Sequence, residues 1–87
     1  MKIEIDCMSG RPNPTFILFS DEEQVVNFLI KNKDNITEES DTILGYRGLI
    51  IHSDKEYFVK KGSVLEEVLQ DIATVYIPDA KKYFGKK

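Results

Sequence analysis

A chain of 87 residues has room for one hydrophobic core and removes only about 60–65% of its unfolded surface from water on folding. Its 41% hydrophobic content, nine Phe and Tyr and only eight Gly and Pro exclude a disordered or fibrous chain. The net charge of −3 argues against nucleic acid as a partner, which needs a positive field to displace counterions from phosphates. A lone cysteine, Cys7, excludes an internal disulfide and fits a reducing compartment. Residues 1–6 alternate charged with apolar side chains, unlike a signal peptide, and the apolar runs are too short to span a bilayer. The expectation is one cytoplasmic domain over residues 1–87, with no membrane partner and residues 85–87 frayed.

Met1, Ile3, Ile5 and Cys7 alternate with Lys2, Glu4 and Asp6, the pattern of a strand with one buried face. Ser9-Gly10-Arg11-Pro12-Asn13-Pro14 follows, and its two prolines remove backbone donors and restrict the residues before them. This segment reads as a loop of fixed shape, closing a hairpin with a short strand over Thr15–Phe19. Ser20 with Glu23 has the spacing of a capping box. The helix it starts carries Val25, Val26, Phe28, Leu29 and Ile30, which predicts a wide buried stripe. Residues 32–41 are almost wholly polar and read as a connecting loop; Asn35-Ile36-Thr37 within them matches a glycosylation sequon, read as a chance match.

Residues 42–52 are apolar on both alternating faces, which predicts a strand covered on both sides or central in its sheet. Gly45 and Gly48 interrupt it and mark a bulge or a turn. Residues 53–56 carry turn chemistry, and Tyr57–Lys61 reads as the return strand. Ser63 with Glu66 caps a second helix whose face is Leu65, Val68, Leu69, Ile72 and Val75 or Tyr76. Pro78 ends it, and residues 79–84 form a final turn that returns Tyr83 and Phe84 to the body. The order β-β-α-β-β-α predicts an α+β two-layer sandwich, with two helices on one face of a four-stranded, mainly antiparallel sheet.

Ten lysines stand against two arginines, and each arginine adjoins a glycine, in Gly10-Arg11 and Arg47-Gly48. The planar guanidinium fork suits a carboxylate or phosphate, and glycine lets backbone amides approach the same group. Arg11, Asn13, Tyr46 and Arg47 are therefore the candidate binding residues. The competing reading gives Arg11 and Asn13 to the loop's own carbonyls and pairs Arg47 with a carboxylate such as Glu56.

No catalytic constellation is legible. Cys7 and His52 are unique, but alternation buries the thiol, and a thiol in apolar surroundings is inert. A metal set of Asp6, Cys7 and His52 fails because adjacent strand residues point to opposite faces. No phosphate-binding glycine loop or dinucleotide fingerprint occurs, so no cofactor is expected. The leading expectation is a protein-binding module, an accessory subunit, adaptor or inhibitor, whose helix or loop acids would steer a basic partner. Two alternatives stand beside it: an enzyme or enzyme subunit holding a small acidic ligand through Arg11 and Arg47, and a homodimer joined at a sheet edge.

Overall fold

Strand β1 (Lys2–Met8) buries its odd-numbered side chains, and Ile3 and Ile5 lose all contact with solvent. In the computed structural model, which describes residues 1–8, 12–39 and 45–84, β1 pairs antiparallel with β2 (Thr15–Ile17) and with β4 (Gly45–His52). β4 turns into β5 (Glu56–Val59), and β5 pairs in turn with β3 (Ile36–Thr37). The sheet therefore runs β2-β1-β4-β5-β3, antiparallel throughout. Among the described residues, five strands replace the four expected. The additional one is only two residues long and lies inside the polar stretch read as a loop, too short to leave an alternating pattern.

Two helices complete the layers: α1 (Ser20–Ile30) and α2 (Val64–Tyr76). Val26 of α1 and Leu65, Leu69 and Ala73 of α2 join Ile3, Ile5, Leu49 and Ile51 of the sheet in one buried cluster. Phe16 of β2 stacks on Tyr76 at 5.2 Å between ring centroids, and Ala80 and Phe84, from a short 3-10 turn (Ala80–Phe84), close the core. Because paired residues of antiparallel strands share a face, Glu4, Ile50 and Phe58 lie together on the other side, as do Lys2, His52 and Glu56. β4 is central, as its composition implies, but only one of its faces is covered.

Gly48 has φ +123°, and the β1–β4 register shifts between Asp6 and Cys7, where Asp6 pairs with Gly48 and Cys7 with Tyr46. Arg47 is thus the extra residue of a β-bulge. A Cβ at position 48 would meet Lys61 and Val59 only at 3.6 Å, so the backbone conformation and not crowding calls for glycine there. The α1 start also differs from expectation by one residue. Phe19 holds the cap position and its amide donates to Glu22 at 2.9 Å, leaving Glu23 to pair with the N-terminal ammonium. Ser63 caps α2 as expected, its Oγ accepting from the Glu66 amide at 3.1 Å.

A larger correction concerns α1. Of its expected stripe only Val26 is buried; Leu29 and Ile30 are partly covered, while Val25 is 48% exposed and Phe28 73%. On α2, Val75 is 76% exposed and Tyr76 takes the inward position.

Asn35 is the one buried polar side chain among the described residues. Its Nδ2 donates to the Leu29 carbonyl at 2.9 Å, its Oδ1 accepts from the Leu65 amide at 3.4 Å, and its carbonyl accepts from the Lys60 amide at 2.9 Å. Its side-chain amide is thus committed to the fold, against the sequon match. Replacing Asn35 with Ala orphans the Leu65 amide at the start of α2 and should cost about 1–3 kcal/mol. Urea unfolding of Asn35→Ala measures this, and an unchanged midpoint would contradict it.

Candidate functional site

The sheet divides the expected binding residues. Asn13 serves the end of β1: its Oδ1 accepts from the Cys7 amide at 3.1 Å, while its Nδ2 donates to Glu4 at 2.6 Å and to Asp6 at 3.5 Å. Those carboxylates belong to the uncovered face. Tyr46 turns toward the helices, where its hydroxyl donates to Glu66 at 2.6 Å and accepts from Gln70 at 3.1 Å. Its ring lies edge-on to Phe84 at 5.4 Å. Burial, and next the hydrogen bond to Glu66, push the Tyr46 phenol well above its ordinary value. Tyr46 pairs with Cys7 across β1–β4 and Asn13 reaches the Cys7 amide with its side chain, yet Asn13 also binds carboxylates of the uncovered face while Tyr46 binds the helices.

Arg47, half-buried, lines a cleft of about 250 Å³ with Thr37, Glu39, Phe58, Lys60 and Lys61. The cleft joins three cations to one carboxylate and a partly covered aromatic ring. Arg11, the second arginine of the expected patch, lies outside the described residues.

A cluster that the sequence reading did not assemble occupies the uncovered face. His52 Nε2 lies 2.7 Å from Glu4 Oε1, and its Nδ1 lies 3.4 Å from Glu56 Oε2. The register makes the cluster, since His52 pairs across β4–β1 with Lys2 and across β4–β5 with Glu56. Only the pairing of distant strands brings Glu4 and His52 together, so neither residue carries a local signal. Cys7 is buried in the core on the helix side, whereas His52 faces away from it, so the two form no nucleophile–base pair. Among the described residues no group of His, Cys, Asp or Glu is arranged to hold a metal ion.

Burial alone would raise the Glu4 pKa. Hydrogen bonds from Asn13 and His52, with the charges of His52 and Lys2, outweigh it and hold the carboxyl below its ordinary value of 4.5. The folded-state value is therefore the lower one, so Glu4 contributes stability above the ordinary glutamate range and loses it as pH falls through the folded value. Urea midpoints measured across the acid range should fall less steeply for Glu4→Gln than for the wild type; parallel profiles would remove Glu4 as a source.

The fold and these surfaces define a small α+β domain with a helix layer on one side of its sheet and a polar, carboxylate-rich face on the other. Compared with family models, with curated proteins and with solved structures, the chain matches none. No helix among the described residues is long and apolar enough to cross a membrane.

Proposed function

We propose that the chain is a small protein-binding module, an accessory subunit, adaptor or inhibitor, and that the outward side of its helix layer is the binding face. The supporting observation is where the exposed apolar side chains fall. Of the six large ones among the described residues, Val25, Phe28, Val64 and Val75 belong to the two helices and Phe19 caps the first. Single exposed hydrophobes are ordinary, whereas their concentration on one layer supports an interaction surface there. Aromatic anchors such as Phe28 and Phe19 suit the apolar centre of an interface. The loop patch fits this role less well, because Asn13 and Tyr46 are engaged in internal hydrogen bonds on opposite faces.

A small acidic ligand at Arg47 is the second reading, supported by Lys60 and Lys61 on the same cleft. The cleft's volume of about 250 Å³ falls below the roughly 300–1,000 Å³ of ordinary ligand sites, and Glu39 opposes an anion there. Joining of two copies at a sheet edge has little support: the edge strands are three and two residues long, and short edges resist pairing.

A pull-down from the native host's lysate, comparing wild type with Val25→Ala/Phe28→Ala and with Arg11→Ala/Arg47→Ala, distinguishes the faces. Specific capture that is lost in the first variant and kept in the second is expected. The reverse pattern would move the binding face to the arginines, and no specific capture by the folded wild type would contradict the module.

A further inference from the structure

The charge on the two helices is entirely of one sign. α1 contributes Asp21, Glu22 and Glu23 and α2 contributes Glu66, Glu67 and Asp71, with no Lys, Arg or His on either, although the whole chain is only −3. Four of the six carboxylates make internal contacts, Asp21 accepting from the Glu22 amide at 2.9 Å at the exposed first turn of α1. Glu22 accepts from the Tyr76 hydroxyl, Glu23 holds the N-terminal ammonium, and Glu66 takes Tyr46 and the Gly62 amide. Asp21, Glu67 and Asp71 are exposed.

Two ties set the helices antiparallel. The start of α1 meets the end of α2 through Glu22 and Tyr76, and the end of α1 meets the start of α2 through Asn35, which bridges Leu29 and Leu65. At 100° per residue, Val64, Glu67, Asp71 and Val75 fall within one narrow stripe of α2, on the flank away from the buried Leu65, Leu69 and Ala73. Val25 and Phe28, three residues apart, similarly share the exposed flank of α1 together with Asp21. The result is two apolar stripes on adjacent antiparallel helices, each interspersed with carboxylates.

Resting on the protein-binding reading, we infer that this face docks a basic amphipathic helix of a partner protein. Apolar side chains of such a helix at i, i+3, i+4 and i+7 would cover Phe28, Val25 and Val75, as in other helix-on-groove recognition. Its flanking Lys and Arg would meet Asp21, Glu67 and Asp71. A second copy of this chain fits badly, because joining two such faces would oppose carboxylate to carboxylate. An anionic membrane surface is disfavoured by the same charge.

The test uses an amphipathic Leu/Lys helical peptide and its Leu/Glu counterpart, titrated into the folded chain with amide chemical shifts as readout. Binding of the Leu/Lys peptide with shifts centred on α1 and α2 is expected, weakening about tenfold or more in Phe28→Ala, as for loss of an interface anchor. It should also weaken in Glu67→Gln/Asp71→Asn and with added salt, and the Leu/Glu peptide should not bind. Equal binding of both peptides, no binding of the Leu/Lys peptide, shifts confined to the uncovered sheet face, or unchanged affinity in either variant would overturn the inference. So would a dimer in sedimentation that Phe28→Ala abolishes. A natural partner whose capture needs Phe28 but is indifferent to salt and to Glu67→Gln/Asp71→Asn would leave the module reading standing and remove the basic helix alone.

Discussion

Asn35 joins three parts of the chain that would otherwise meet only through apolar contact: the end of α1, the start of α2 and the end of β5. Apolar burial is strong but non-directional, so it brings helices onto a sheet without fixing how far along each other they lie. A buried amide with both donor and acceptor engaged supplies the direction, since any slide of α2 along α1 would strand polar groups away from water. The Tyr76–Glu22 contact does the same at the far end of the pair. Together they hold the two helices antiparallel and thereby place Val25, Phe28 and Val75 on the outward side.

One-sided burial is the second constraint. A chain this short covers one face of its sheet, and the other face is handled with charge: Glu4 and Asp6 are tied by Asn13, and His52 lies between Glu4 and Glu56. That network also secures Asn13, between Pro12 and Pro14, to β1 through the Cys7 amide. Asn13 thereby ties its own position to β1, and Tyr46, anchored to α2 and packed on Phe84, fixes the helix layer to the sheet. Among the described residues, most of the exposed large apolar side chains belong to the helices.

Periodicity in the sequence was enough for the layer architecture. The alternation of Ile3, Ile5 and Cys7, the cap at Ser63 and the Leu65–Leu69 spacing each report an element or its buried face directly, because each is local; Ala73 joins that face without having been singled out. Gly48 likewise marked its bulge. The outward placement of Val25 and Phe28 was not legible, since an apolar stripe has the same spacing whether it faces a core or a partner. Neither was Asn35, a polar residue in a polar stretch whose role comes only from what packs around it. The grouping of Asn13 with Tyr46 rested on the arginine–glycine pairs beside them, and that local signal does not say that Asn13 binds Glu4 while Tyr46 binds Glu66.

The account depends on Phe28, Val25 and Val75 adding little to the fold itself, and the stability of Val25→Ser/Phe28→Ser/Val75→Ser in urea tests this most directly. Surface substitutions of this kind change stability by only about 0.5 kcal/mol each, so the prediction is a midpoint close to that of the wild type, with an unchanged denaturant slope. A loss approaching the roughly 3–5 kcal/mol typical of a truncated core aromatic would show that these side chains hold the helices to the sheet, and would contradict the binding face.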